Sequence, residues 1–485
     1  MVFSSHLFVF YFLPLVLLGY HLLPLRGKHV FLTAVSYVFY GWANPWFVLL
    51  MMFQTVVDWV CGMTLAGLWR HPVGAAVPLL EPKGPRTGGQ KAALAAAVIS
   101  NLLLLAFFKY FNFGLDNWNA AMTALGWDAA RWDTVLRITL PLGISFYTFQ
   151  SMSYAIDVYR GQARAIRSIL DYMCYVAMFP QLVAGPIVRF QDVADQFLAR
   201  SHTLEKFARG VSFFALGLGK KILLANPCGK VADTVFGAGA AGTLEAWYGA
   251  AAYAFQIYFD FSAYSDMAIG LGLMLGWVFA KNFDSPYQSR SLTEFWRRWH
   301  LSLSTWLRDN LYIPLGGNRL GEARTYGNLA ITMLLGGLWH GASWNFVIWG
   351  GLHGGLLALE RLQGDHAWTR RLPAPLQTAL TFVFVLFTWV FFRATDLPSA
   401  LHYCQAMLGF GPQQPGQDLL AGLIYQPYYL LSFAAAAGVV WGAPQTWDFT
   451  RRLTWPKAAF CAVILLLALA VMETQAFNPF IYFIF

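Results

Sequence analysis

The chain has 485 residues, with 33 Lys+Arg against 24 Asp+Glu and a formal net charge of +9. Charged residues make up 12% of it and apolar residues 58%, against roughly 25% charge in soluble domains, so too few polar side chains remain to cover a soluble protein of this size. Disorder is excluded by the same figures, and five scattered cysteines without a CxxC pair exclude a disulfide scaffold, which leaves an all-α polytopic membrane protein.

Crossing a hydrocarbon core of about 30 Å takes ~20 apolar residues in a helix. In chain order, such runs cover 7–24, 30–44, 46–68, 92–113, 138–157, 169–186, 210–226, 245–275, 328–360, 373–392, 422–441 and 458–473. The runs 245–275 and 328–360 are long enough to bend, tilt or split. The expectation is about 11–13 membrane-embedded helices, some of them partial. The first run has no basic start and no small-residue cleavage site, so it reads as a retained span. Pro180 and Pro186 within one apolar run predict a broken or re-entrant helix. The Pro- and Gly-rich stretches 70–91 and 410–418 read as loops. No internal repeat interrupts the chain, and 1–485 reads as one continuous membrane domain.

Basic residues cluster in the short loops, where they set orientation. Arg26 and Lys28, then Arg70, Lys83, Arg86 and Lys91, then Arg160, Arg164 and Arg167 fall on one side by counting crossings. That side is expected to be cytoplasmic, with the N-terminus outside. The loop 114–135 falls on the other side and carries Asp116, Asp128 and Asp133 against Arg131. Nothing gathers the charge into a single stripe of the kind that binds nucleic acid, so the bilayer is the partner expected.

The polar residues that carry chemistry concentrate in 290–355. In SLTEFWRRWHLSLSTWLRDNLYIPLGGNR, Trp296, Trp299, Leu303 and Trp306 fall on one helical stripe. That pattern predicts an amphipathic helix lying in the membrane interface. Arg297 and Arg298 stand three and four residues from Glu294, close enough for an intrahelical pair. His300 lies beside the Trp stripe and is open to a hydrogen-bonding role or a catalytic one. The following run, 328–360, is almost uncharged yet holds His340 and His353. Ionisable groups inside a membrane are costly and point to function. His353, among four glycines, is expected to hydrogen-bond a neighbouring helix. His340 sits beside Trp339 where GLWHGASWN interrupts the apolar run, the kind of break that lines a cavity. The pairs Gly337/Gly341, Gly350/Gly354 and Gly351/Gly355 favour close helix packing. Asp260 and Asp266 form a further polar island, expected either to orient a histidine or substrate hydroxyl or to be neutralised by arginines. Lys220 and Lys221 read as an orientation signal.

GxSxG, GxxxxGK[ST], GxGxxG, HExxH and Cys/His metal clusters are all missing, which counts against hydrolase, nucleotide, hydride and metal chemistry. The motifs that are present resemble a known family. FWRRWHLSLSTWLRD (295–309), GGN (316–318) and LLGGLWHGASWNFVIWGGLHG (334–354) are similar to the membrane-bound O-acyltransferases. PLGISFYTFQSMSYAIDVYRG (141–161), FPQLVAGPIVRF (179–190) and YFDFSAYSDMAIGLGLMLG (258–276) extend the likeness. It is greatest to the bacterial branch that holds the alginate O-acetyltransferase membrane subunit and the teichoic acid D-alanyl transfer protein, and nearer the first. It places the motif core at about 136–360, leaves C-terminal transmembrane helices at about 373–485, and is thinnest over 394–455.

The resemblance implies a ring of helices around a thin central region, at which an acyl group passes from a cytoplasmic thioester to an outside hydroxyl. It implies that His340 is the family's membrane histidine and His300 the second histidine of the bacterial branch. Imidazole, with an ordinary pKa of about 6.5, suits a base that is neutral at pH 7 and then sheds its proton. His340 is accordingly expected to deprotonate the attacking hydroxyl, with backbone N–H groups of the break or the Trp339 indole as oxyanion donors. Arg297, Arg298, Arg308, Asp309, Trp339, Asn318, Asp260 and Asp266 are the candidate substrate- and donor-binding residues. No tightly bound cofactor or metal is expected; the donor would be acetyl-CoA or another acyl thioester. The partners would be periplasmic acetyltransferase or acceptor proteins of an exopolysaccharide complex, and the location the bacterial inner membrane. The alternatives are a polysaccharide or acyl-carrier flippase without acyl chemistry, and D-alanyl transfer.

Overall fold

The computed structural model describes residues 1–72, 74–239, 241–364, 368–411, 417–475 and 477–481. The fold is all-α, with no strand among the described residues. Backbone groups in hydrocarbon must be bonded within their own segment, which apolar helices achieve. The chain forms two compact units, Met1–Val211 with Ala268–Ala280, and Ser212–Met267 with Lys281–Phe485.

Unit 1 opens with a continuous helical run, a π-helical turn at Leu7–Phe12 followed by α1 (Leu13–Leu22). Helices α2 (Leu25–Gly41), α3 (Trp46–Leu65), α4 (Gly88–Ala124) and α5 (Ile144–Arg160) follow. Thr87 and Gln90 form a reciprocal capping box that starts α4. At 37 residues α4 reaches beyond the run 92–113 expected from hydropathy. At 1.5 Å per residue it is about 55 Å long, more than a hydrocarbon core needs. Helix α6 (Ile169–Ala177) stops at Met178 and α7 (Phe179–Leu182) restarts with Pro180 in its first turn, the break expected there. The unit then adds α8 (Phe190–Leu198).

Next come α9 (Leu204–Gly219), a π-helical turn at Lys220–Ala225, α10 (Asn226–Gly237) and α11 (Thr243–Met274). The short helices α12 (Leu292–Trp296) and α13 (Leu301–Leu307) precede α14 (Glu322–His340) and α15 (Trp344–Gln363). The chain ends with α16 (Ala374–Arg393), α17 (Leu397–Met407), α18 (Gln417–Ile424), α19 (Pro427–Gly442), α20 (Thr446–Phe449) and α21 (Trp455–Thr474). Among the described residues four helices are long and apolar enough to cross a membrane by themselves: α3, α4, α16 and α21.

The run 328–360 splits at 341–343 into α14 and α15, which fold back on each other. Small residues permit the approach. A Cβ on Gly337 would meet the Phe346 carbonyl oxygen at 2.2 Å, and one on Gly350 would meet that of Met333 at 2.4 Å. Gly355 faces open space and Gly351 only a leucine methyl at 3.8 Å, so one face of α15 carries the contact.

Candidate active site

The segment 291–312 corrects the expectation of one amphipathic helix. Helix α12 ends after Trp296, and His300 takes a left-handed conformation with φ of 44° before α13 begins. The break is held from outside the segment. Asp284 N–H bonds the Arg298 carbonyl at 2.9 Å, and Leu301 N–H bonds the Asn282 carbonyl at 2.9 Å. These bonds replace helix bonds that a sequence stripe takes for granted. The Trp stripe still points inward, with Trp299, Leu303 and Trp306 buried. The predicted Glu294–Arg298 pair forms at 2.7 Å.

The break buries His300 completely. Its Nδ1 lies 3.2 Å from Asn282 Oδ1. The same oxygen accepts from the backbone N–H of Ser302 at 3.2 Å and from Ser302 Oγ at 2.9 Å. A backbone N–H can only donate, so the atom facing it is the amide oxygen and not the nitrogen. The Asn282 Nδ2 group, turned the other way, donates to Ser265 Oγ at 2.9 Å. His300 Nδ1 therefore carries the proton, and Nε2 carries the lone pair. Two aromatic rings enclose the imidazole, Phe261 edge-on at 4.6 Å and Phe283 at 6.5 Å. His300 lies in a connection between two helices too short to cross a bilayer, and burial lowers its pKa to about 3.

His340 is the last residue of α14, at the predicted break. Its ring is half-buried, edge-on to Trp339 at 5.0 Å, Trp349 at 5.3 Å and Phe392 at 5.2 Å. Asn345 Nδ2, in the first turn of α15, donates to the Ala394 carbonyl at 2.8 Å and fixes the far side of the break. The Trp339 ring stands 6.0 Å from His300, so one indole touches both histidines. His353 is different. It accepts from Trp296 Nε1 at 3.3 Å and faces Thr388 Oγ1 at 3.1 Å, a hydroxyl that already donates to the Val385 carbonyl. Both ring nitrogens are thus committed to neighbouring helices, as expected.

The remaining candidates separate. Arg308 and Asp309 bond each other at 2.7 and 3.2 Å, and Arg298 is held by Glu294. Arg297 and Asn318 are exposed. Asp260 is ion-paired at 2.7 Å with Lys221, and Asp266 at 2.8 Å with Lys220. The acids are neutralised as one expectation held, but by lysines where arginines were expected. Lys220 and Lys221 are therefore internal counter-ions, placed by the π-helical turn they begin. Asn282 and Ser302 escaped sequence reasoning; a lone Asn between Lys281 and Phe283 has no periodic signature.

Comparison of the chain with known proteins shows its family. The family model of membrane-bound O-acyltransferases matches residues 158–397. The chain is 43% identical to the probable alginate O-acetylase AlgI of Azotobacter vinelandii, over the full length of both proteins. The chain belongs to the membrane-bound O-acyltransferase family. This acyltransferase is also 45% identical to the probable alginate O-acetylase AlgI of Pseudomonas aeruginosa, over 95% of this chain and 85% of that one. A peptidoglycan O-acetyltransferase of Helicobacter pylori is 36% identical over 84% of this chain and 80% of its own. The protein is a multi-pass membrane O-acyltransferase.

Proposed function

We propose that this acyltransferase carries an acetyl group from a cytoplasmic thioester to a hydroxyl of an exported, alginate-like polysaccharide, with His340 as general base. One observation supports the reading most: His300 and His340 face the same Trp339 ring, at 6.0 and 5.0 Å. In the proposed step His340 takes the proton of the attacking hydroxyl as the new O–C bond forms. The C–S bond then breaks, and the imidazolium returns its proton to the thiolate. A positioned base contributes about 10²–10⁴-fold to such a transfer. His300, its Nδ1 proton held by Asn282, turns a lone pair on Nε2 toward the substrate and orients the acceptor. Acetyl is the preferred acyl group because the relatives matched over most of their length are named for O-acetyl transfer. Acetyl-CoA is the preferred donor, and the immediate acceptor is either the sugar or a periplasmic acetyltransferase of the same complex. The inner membrane of a bacterium is the setting in which both substrates meet.

His340→Asn tests this. Cells carrying it should export polymer in normal amount but without acetyl esters, read by mass spectrometry, while the protein stays in the membrane. A flippase would lose the polymer itself. Normal ester content in the variant would remove His340 from the chemistry.

A further inference from the structure

Unit 1 holds a cluster that the acyl-transfer chemistry does not use. It forms where the end of α1, the start of α2 and the 199–203 connection meet. Tyr20 stands at its centre. The Tyr20 hydroxyl donates to the Leu275 carbonyl at 2.7 Å and accepts from Arg200 Nε at 3.1 Å and Nη2 at 2.9 Å. His202 Nε2 lies 3.1 Å from the same oxygen. Arg200 also stacks its guanidinium 4.4 Å from the centre of the Trp277 ring and donates through Nη1 to His29 Nε2 at 2.5 Å. A guanidinium has no acceptor, so His29 Nε2 holds a lone pair there, and its Nδ1–H donates to Asp171 Oδ1 at 2.6 Å.

Lys28 is the unusual member. It is only 9% exposed, and its ammonium lies 4.5 Å from the centre of the Tyr20 ring. The Arg200 guanidinium lies 6.0 Å from the same centre. Two permanent cations thus share one aromatic ring. Among the described residues no carboxylate reaches either of them, and no oxygen accepts from the Lys28 ammonium. The cluster's one acid, Asp171, is kept a step away by His29. Five other cations, Lys220, Lys221, Arg298, Arg308 and Arg393, each have a carboxylate within 2.8 Å. Bringing two cations together with no carboxylate at hand is costly. A group that satisfies both is an anion with several acceptor oxygens. His202 positions the Tyr20 hydroxyl. Partial burial and the charges of Lys28, Arg200 and His21 lower its pKa to about 4. The Tyr20 hydrogen goes to the Leu275 carbonyl, so a neutral His202 donates its Nε2–H to the Tyr20 oxygen and braces that hydroxyl between the two cations.

We propose that Lys28 and Arg200 form a phosphate-binding site in unit 1, with His202 as a positioning residue that braces Tyr20 between them. Two molecules carry that chemistry on the side where the loop charges put Lys28: the phosphates of a coenzyme A thioester and the headgroup of an anionic phospholipid. The first source rests on the proposed function; phosphate binding itself does not.

The full-length protein in phosphatidylcholine nanodiscs separates these. Coenzyme A and inorganic pyrophosphate are titrated by thermophoresis, and retained phosphatidylglycerol is counted by native mass spectrometry after doping the discs. A soluble donor site predicts that coenzyme A and pyrophosphate compete, and that Lys28→Met weakens both at least tenfold while Lys28→Arg restores binding. A lipid site predicts that the wild type retains phosphatidylglycerol, that Lys28→Met loses it, and that neither soluble probe binds. His202→Ala, at an exposed position, should weaken whichever ligand binds even where Lys28→Met folds poorly. A wild type that binds none of the three, or binding that survives both Lys28→Met and His202→Ala, overturns the site. Acetyl transfer assayed on the same preparations tests the proposed function separately, since phosphate binding persists if the enzyme acts on another acyl group.

Discussion

Asn282 Oδ1 lies 3.2 Å from His300 Nδ1, and the backbone N–H of Ser302 leaves that amide only one orientation. The relationship makes Asn282 a positioning residue with a measurable signature. Asn282→Leu keeps the volume but frees the imidazole to swap tautomers, and outer-shell losses of this kind cost about 10–100-fold in activity. The loss should appear in kcat more than in KM. Asn282→Asp keeps the hydrogen bond and adds a negative charge. Burial alone holds His300 near pKa 3; a facing carboxylate favours the imidazolium and raises that value. More of the ring is then protonated at a given pH, so the acid limb of the rate profile should move to higher pH. An unchanged limb in the Asp variant, with full activity in the Leu variant, would dissolve the assignment.

His353 and His340 lie on either side of Trp349, at 4.8 and 5.3 Å, yet should respond differently to substitution. His353→Ala leaves the half-buried Trp296 indole N–H without its acceptor, and a lost hydrogen bond of this kind costs about 0.5–1.5 kcal/mol. The expected result is a lower melting temperature in detergent with ester formation retained per folded molecule. His340→Ala should reverse the pattern, with stability kept and turnover lost. Equal loss of turnover in both, at equal folding, would mean that the wrong ring has been assigned the proton.

The membrane segments were legible because hydrocarbon makes each helix satisfy its own backbone, which leaves long apolar runs in the sequence. The run 458–473 appears as Trp455–Thr474 and the run 373–392 as Ala374–Arg393. The break after His340 was legible as well, since glycines and polar residues interrupt an apolar run there. What stayed hidden depends on partners distant in sequence. The Trp stripe of 296–306 is genuine, but Asn282 and Asp284 divide it by hydrogen bonds that no periodicity encodes. The lysine counter-ions of Asp260 and Asp266 were hidden for the same reason, 39 and 46 residues away in the chain.

The packing of α14 on α15 predicts a contrast between two glycines of one helix. Gly350→Ala drives a Cβ to 2.4 Å from the Met333 carbonyl oxygen, and backbone cannot move aside as a flexible side chain does. The two helices must part, which displaces the break that carries His340. Folding yield and ester formation should both fall. Gly355→Ala meets nothing within 4 Å and replaces the residue most costly to order in a helix. It should leave activity intact and stabilise by up to about 1 kcal/mol. Comparable yields of the two variants by fluorescence size-exclusion chromatography would contradict the close approach.

The Lys221–Asp260 pair is the most deeply buried ion pair described, at 3% and 1% side-chain exposure. It also anchors the segment 479–481. Asp260 Oδ2 accepts from the Ile481 N–H at 2.7 Å, Lys221 donates to the Pro479 carbonyl, and Phe480 stacks on Tyr264 at 4.9 Å. Removing one charge strands the other away from water, which costs about 3–5 kcal/mol, whereas replacing both by apolar groups of similar volume is often neutral. Lys221→Met and Asp260→Leu should each destabilise strongly and expose the C-terminal segment to carboxypeptidase. The double variant should recover much of the melting temperature yet remain sensitive to the protease, because the Ile481 N–H and the Pro479 carbonyl have still lost their partners. A double variant as protected as wild type would show that the Phe480 ring, and not the ion pair, holds the segment 479–481 in place.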